Sequence, residues 1–141
     1  MLANNIVFKR LENGCSVGKM KSSLLNGAPT DINSSYLKGP AKAPTRIREL
    51  LSSDMMNSAS ESGAELGRDI PFEDAGDLPL NGDKEQELIF DSVALALKKG
   101  YMPIILGGDH SITYPRVKAI AAQHGSINIL NSDAHPDLYD I

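Results

Sequence analysis

The amino-acid sequence predicts an α/β fold in which helices cover both faces of a parallel sheet. Residues 103–106 and 127–130 are continuous apolar runs of strand length, and a segment with helical periodicity precedes each of them. The composition, with 41% hydrophobic and 23% charged residues, is typical of a globular domain with a hydrophobic core. Strands that alternate with helices are joined by right-handed crossovers, and such connections produce a parallel sheet.

The first part of the domain is predicted to contain one strand and one helix. Residues 23–26 indicate a short buried strand that runs into a turn at residues 27–29, and the polar residues 30–43 indicate a loop. Pro44 suits the first turn of a helix that continues to residue 51. The Ser-rich residues 52–63 then predict a connection on the surface.

Two further short strands are predicted at residues 64–66 and 72–75, before a longer helix. Asp83 is the predicted N-cap of that helix, which we expect to span residues 84–99 and to be followed by Gly100 in a left-handed conformation. The strand at residues 103–106 follows directly.

Charge, cysteine content and hydropathy limit the kinds of partner. The net charge of -4 provides no basic surface for nucleic acid, and no apolar run approaches the roughly 20 residues that cross a membrane. The one cysteine, Cys15, allows no intrachain disulfide, so a cytoplasmic location is the default expectation, with organelle targeting by residues 1–20 left open. We expect residues 1–21 to form an irregular extension and residues 22–141 to form the domain.

Two polar clusters follow the last two predicted strands. The first is Gly107-Gly108-Asp109-His110-Ser111, and the second is Asp133-Ala134-His135-Pro136-Asp137. Ligands bind at the carboxyl ends of strands in open α/β sheets, and two adjacent strands would bring these clusters within reach of each other. Because alternate side chains of an extended segment point the same way, Asp133, His135 and Asp137 can converge.

Imidazole and carboxylate groups in this arrangement suit one or two divalent transition-metal ions. Ionisable side chains crowded at one strand end would otherwise repel or desolvate one another, and a cation removes that cost. We interpret Asp109 as a structural or ligand-supporting residue and His124 as the end of a helix. The candidate ligands are His110, Asp133, His135 and Asp137.

The two clusters resemble the metal-binding signature of the ureohydrolase family, which includes arginases and agmatinases. Three upstream pieces are similar to the same family: Gly27-Ala28-Pro29, then Gly39-Pro40 with Pro44-x-x-Ile47-Arg48, and Asp74-Ala75-Gly76-Asp77-Leu78. The resemblance covers approximately residues 22–141 and identifies them as the N-terminal portion of the family domain.

The resemblance implies a three-layer α/β/α fold with a central parallel sheet, incomplete at its C-terminus. It also implies a binuclear Mn²⁺ site, in which a metal-bridging hydroxide attacks the carbon of a guanidino compound and releases urea. His110 would ligate one metal ion and His135 the other, with Asp133 bridging and Asp137 completing this half of the site. No catalytic residue is separable from these ligands, and the complete protein is expected to be a homo-oligomer.

The residue two positions after Asp137 bears on the substrate. It is Tyr139, where animal-type arginases typically have Asn, and a tyrosine there resembles agmatinases and plant-type arginases. Thr113-Tyr114-Pro115 favours the same group. We therefore expect agmatine, converted to putrescine and urea, as the small cationic substrate, with L-arginine as the alternative.

The chain also departs from the family pattern. Asn131-Ser132 stands before Asp133 where the family usually has His and then an apolar or aromatic residue, and the family's later Asp-x-Asp ligand pair is missing. We therefore expect a fragment with low or no activity alone. The competing hypotheses are a non-catalytic protein that binds metal or pairs with a partner chain, and a zinc deacetylase on a related scaffold.

Overall fold

The structure, a computed structural model, describes residues 22–135. Within that range, three parallel strands form one sheet, in the order Phe72–Asp77 (β2), Ser22–Ala28 (β1) and Tyr101–Gly107 (β3). Two 3₁₀ turns, Pro40–Lys42 and His110–Ile112, lead into the first and third α-helices. The elements in chain order are β1 (Ser22–Ala28), α1 (Ala43–Leu51), β2 (Phe72–Asp77), α2 (Glu85–Lys98), β3 (Tyr101–Gly107) and α3 (Thr113–His124). The predicted α/β fold with a parallel sheet is confirmed.

The hydrophobic core lies between one face of the sheet and the helices α2 and α3. In the central strand β1, Asn26 is paired with Ile105 of β3, so the side chains of Ala28 and Ile105 point to the same face. Helix α2 contributes Ile89 and Val93 to the core on that face, and α3 contributes Ala119. Burial of these apolar side chains provides the main force that holds α2 and α3 on the sheet.

Helix α1 lies on the opposite face of the sheet. Gly27 points away from the core because its neighbour Ala28 points into it. A Cβ added to Gly27 would lie 2.9 Å from Nη1 of Arg48 in α1, so α1 covers this second face. Helices on both faces make the three-layer α/β/α arrangement that the family resemblance implied.

The predicted bounds of α2 are close to those observed, but the predicted cap is wrong. The N-cap is Lys84, not Asp83, and no side chain caps it. Glu85 reaches back instead, and its Oε1 accepts a hydrogen bond from the backbone N–H of Gly82 at 3.1 Å. None of the helices in residues 22–135 has both the length and the apolar character that crossing a membrane requires.

The strand predicted at residues 64–66 is wrong, because this segment forms isolated β-bridges only. Its backbone groups are satisfied inside a local turn: the N–H of Asp69 donates to the carbonyl of Glu65 at 2.8 Å, and the N–H of Glu65 donates to Oδ2 of Asp69 at 2.9 Å. A segment that satisfies its own backbone groups leaves fewer of them to pair with the sheet.

The strand predicted at residues 127–130 is also absent from the described structure, where this segment is irregular. Leu130 is 76% exposed, and β3 pairs with β1 without taking a second neighbour from residues 22–135. An apolar run becomes a strand only when another strand supplies hydrogen bonds to its backbone. The prediction of a strand at residues 127–130 is therefore wrong for the part of the chain that the structure describes.

Candidate metal centre

The turn that carries His110 leaves the carboxyl end of β3 and packs tightly on its surroundings. A Cβ added to Gly107 would lie 2.1 Å from Cδ1 of Ile112, and one added to Gly108 would lie 1.7 Å from the carbonyl oxygen of Thr30. The neighbour of Gly107 is the end of a flexible side chain, which can move, whereas the neighbour of Gly108 is backbone. Real Cβ atoms do not approach backbone atoms so closely, so this turn needs a glycine at position 108 for space.

Asp109 holds this turn in place through its backbone and its carboxyl group. Its N–H donates to the carbonyl of Thr30 at 2.9 Å, and its Oδ2 accepts from the N–H of Asn33 at 2.8 Å. Its Oδ1 accepts from the N–H of Ser111 at 3.0 Å and from the hydroxyl of Ser111 at 2.5 Å. Asp109 thus caps the 3₁₀ turn and ties it to the loop after β1.

His110 lies at the first position of the 3₁₀ turn, on the carboxyl edge of the sheet. The residue is exposed, and its Nδ1 lies 3.3 Å from the hydroxyl oxygen of Thr113. Asp109 and Ser111, the residues on either side of His110, are both held by hydrogen bonds of Asp109. The backbone of His110, which carries the imidazole, is therefore fixed in position.

The second cluster approaches His110 from the irregular segment after α3. Oδ1 of Asp133 accepts a hydrogen bond from the N–H of His135 at 3.1 Å and lies 3.8 Å from Nδ1 of the same residue. The hydrogen bond from the backbone N–H of His135 is the main cause that lowers the pKa of Asp133 below its usual value, and an electrostatic interaction with His110 contributes less. Asp133 and His135 are therefore close together, and Asp133 lies within electrostatic range of His110.

The chemistry of these donors fits a divalent transition metal, although their spacing is open. In the part of the chain that the structure describes, no three His, Cys, Asp or Glu side chains lie close enough to hold a metal ion. His110 and His135 supply imidazole nitrogens and Asp133 an oxygen, which is a suitable set for such an ion. The fourth predicted ligand, Asp137, and the predicted substrate-side residue Tyr139 lie outside the described residues.

Two residues that support the site were missed in the sequence, namely Thr30 and Asn33. Both lie in the stretch interpreted only as a polar loop, yet both contact Asp109. The amide of Asn33 also donates to the hydroxyl of Ser111 at 3.1 Å. The available signal was their position directly after a strand of a parallel sheet, where loops line the ligand-binding edge.

Two of the upstream segments that resemble the ureohydrolase family, at residues 44–48 and 74–78, contact each other at the carboxyl end of β2. Arg48 of α1 contacts the carboxylate of Asp74 with both Nε, at 2.7 Å, and Nη2, at 3.0 Å, and its Nη1 also pairs with Asp77. The hydrogen bond from Arg48 is the main reason that the pKa of Asp74 lies below its usual value. This ion-pair cluster fastens α1 to the carboxyl end of β2.

Comparison with known proteins agrees with this arrangement. The family model described as the arginase family matches residues 21–141. "Arginase 1, mitochondrial" of Arabidopsis thaliana is 42% identical over 133 residues, which are 87% of this chain and 39% of that protein. The agmatinase of Bacillus subtilis (strain 168) is 34% identical over 122 residues, which are 82% of this chain and 40% of that protein.

One solved structure is similar to this chain in fold as well as in sequence. The arginase from Medicago truncatula superposes with a TM-score of 0.77 at 37% identity, over 85% of this chain and 41% of that chain. The chain therefore spans about two fifths of the length of the relatives it matches. The family match, the parallel sheet and the residues at its carboxyl edge lead to one conclusion: this chain belongs to the arginase family.

Proposed function

We propose that the complete protein to which these residues belong is a metal-dependent ureohydrolase, which releases urea from a guanidino compound. The observation that carries this proposal is the match of residues 21–141 to the arginase family model, and it is supported by the exposed His110 on the turn after β3 and by the neighbouring pair Asp133 and His135. The donor chemistry suits a divalent metal ion. Mn²⁺ is the ion that we propose, on the strength of the family resemblance.

The roles proposed for the residues follow from their positions. His110, Asp133 and His135, with Asp137, would hold a metal pair, which supplies a nucleophile near neutral pH by lowering the pKa of water. Asp109 would keep His110 in place through its hydrogen bonds to Asn33 and Ser111. The net charge of -4 would also favour the approach of a guanidinium cation.

L-Arginine is the first substrate that we propose, with agmatine second. The chain is 42% identical to a plant arginase and 34% identical to a bacterial agmatinase. This comparison outweighs the initial preference for agmatine, because that preference depended on Tyr139 and on Thr113-Tyr114-Pro115, which also resemble plant-type arginases.

The experiment measures urea release by the complete protein after removal of bound metal and addition of Mn²⁺, Zn²⁺ or no metal. His110→Ala should lower urea release by at least about 100-fold, because a ligand is lost. His124→Ala is the matched control, since His124 is an exposed histidine at the end of α3 and should leave the rate unchanged. Equal rates for the parent and His110→Ala would contradict the proposed function, and the ratio of arginine to agmatine hydrolysis would decide the substrate.

Three further expectations stand as proposals beside the main one. We expect residues 1–141 alone to release little urea and the complete protein to form a homo-oligomer, which light scattering measures. The compartment is open between the cytoplasm and an organelle, because the names of the plant relatives include mitochondrial and chloroplastic forms. Fusion of residues 1–21 to a fluorescent protein tests whether this segment directs import.

A further inference from the structure

Glu85 is a buried acidic residue that the proposed chemistry does not use. It is the first residue of α2 and is 8% exposed. Its Oε2 accepts a hydrogen bond from the hydroxyl of Thr30 at 2.5 Å, and its Oε1 accepts one from the N–H of Gly82 at 3.1 Å. A buried carboxyl group is costly unless it is hydrogen-bonded, and here both oxygens have donors.

Thr30 is enclosed between the end of β1 and the metal-ligand turn, residues 107–111. It is 3% exposed, and its N–H donates to the carbonyl of Ala28 at 2.9 Å. Its own carbonyl oxygen accepts from the N–H of Asp109 at 2.9 Å. Because a Cβ at Gly108 would lie only 1.7 Å from that carbonyl oxygen, the turn rests directly on Thr30.

A continuous series of contacts therefore runs from helix α2 to His110. Glu85 orients the Thr30 side chain, Thr30 binds the backbone of Asp109, and Asp109 binds Ser111 on the far side of His110. In this series, the hydrogen bond between the hydroxyl of Thr30 and the carboxylate of Glu85 links the loop that supports the turn to α2. Without it, the loop after β1 keeps its backbone hydrogen bonds but loses its anchor to the helix.

We propose that Thr30 and Glu85 are positioning residues, which set the place of the metal-ligand turn and thereby the metal affinity at His110. This inference rests on the proposed function, because it assumes that His110 is a ligand. Neither residue would touch the metal ion or the substrate. Partners beyond the ligands themselves commonly change metal affinity by about 10–100-fold.

The test measures Mn²⁺ binding to the complete protein by electron paramagnetic resonance of the free ion, together with Tm. Thr30→Val removes the hydroxyl at nearly constant volume, and Thr30→Ser retains it. Val93→Ala serves as the stability control, because Val93 is a core residue of α2 that makes no hydrogen bond through its side chain. We expect Thr30→Val to weaken Mn²⁺ binding about tenfold, Thr30→Ser to restore it, and Val93→Ala to lower Tm with parental Mn²⁺ affinity.

Glu85→Gln changes the acceptor of the same hydrogen bond. This variant tests the proposal if Thr30→Val does not fold. Glutamine offers one acceptor oxygen where the structure uses two, so Mn²⁺ binding should also weaken. The double variant should bind Mn²⁺ about as well as the weaker single variant, since both changes break one contact. Excess Mn²⁺ should return the rate of urea release of each variant towards the parental rate.

The two proposals fail in distinguishable ways. If His110→Ala binds Mn²⁺ like the parent, the proposed function is wrong. If His110→Ala loses Mn²⁺ binding while Thr30→Val lowers only Tm, the metal centre stands and the positioning role of Thr30 and Glu85 is overturned.

Discussion

Replacement of Arg48 with Met tests the ion-pair cluster that fastens α1 to β2. Arg48 contacts both carboxylate oxygens of Asp74 and also pairs with Asp77, and its side chain is 19% exposed. Arg46 in the same helix pairs with Glu49 at the surface, and its side chain is 72% exposed. Arg46→Met is therefore a matched control that removes the same kind of charge from an exposed pair.

The expected magnitude follows from this difference in exposure. Hydrogen bonds to charged groups contribute about 1.5–3 kcal/mol when buried, and exposed ion pairs contribute about 0.2–1 kcal/mol. Because the carboxylates of Asp74 and Asp77 are 35% and 33% exposed, we assign about 1 kcal/mol to each pair. Arg48→Met should thus lower the free energy of unfolding by about 2 kcal/mol, or Tm by about 4–8 °C, against less than about 0.5 kcal/mol for Arg46→Met.

The pH dependence of the same variant provides a second check. The hydrogen bond from Arg48 is the main cause that lowers the pKa of Asp74 from 3.8. Asp74 therefore contributes stability that is present above its unfolded-state pKa and is lost as the pH falls through the lower folded-state pKa. Thermal unfolding followed by circular dichroism should show the full difference in Tm between the parent and Arg48→Met at neutral pH. This difference should become smaller below pH 3.8. A difference in Tm no larger than the one that Arg46→Met causes, or one that stays the same in acid, would refute the reasoning.

Three further predictions concern the turn and the central strand. Gly108→Ala places a Cβ against the carbonyl of Thr30 and should lower stability by about 1–3 kcal/mol and weaken Mn²⁺ binding, whereas Gly63→Ala, with open space around it, should affect stability only. Asp109→Ala removes the acceptor for Asn33 and Ser111 and should weaken Mn²⁺ binding about 10–100-fold, as measured by titration. Asn26→Val should raise the free energy of unfolding by about 1 kcal/mol in denaturant titration, because Oδ1 of Asn26 is buried without a hydrogen-bond partner among residues 22–135; a decrease would contradict this.

The elements that the sequence predicted well are those whose signals are local. Helix α3 has an apolar face and ends before Gly125, which has a φ of 76° and donates its N–H to Ala121 at 2.8 Å. Strand β3 is a short apolar run bounded by glycines at positions 100 and 107. In each case the residues that define the element lie within the element or next to it, so no knowledge of the rest of the fold was needed.

The failure at residues 127–130 has a different physical origin. Apolarity indicates that a segment prefers to be buried, but it does not identify the strand that pairs with it. Within residues 22–135 the sheet order is β2-β1-β3, and the segment at 127–130 contributes no fourth strand. Strand pairing is a long-range property, and the preference for adjacent consecutive strands is a tendency with many exceptions.

The candidate site also has some features with local sequence signals and others that depend on contacts between distant segments. Its candidate ligands could be proposed from the sequence, because His110, Asp133 and His135 belong to two compact motifs whose residue types are those of metal ligands. Its support was not readable, because the hydroxyl of Thr30 bonds Glu85, 55 positions away, and the N–H of Asn33 bonds Asp109, 76 positions away. A glutamate in the first turn of a helix is ordinary for its interaction with the helix dipole, so nothing local distinguishes Glu85 as a partner of the loop. Candidate ligands of such a site can therefore be proposed from motifs, whereas the residues that contact their turn become visible only when the fold brings distant segments together.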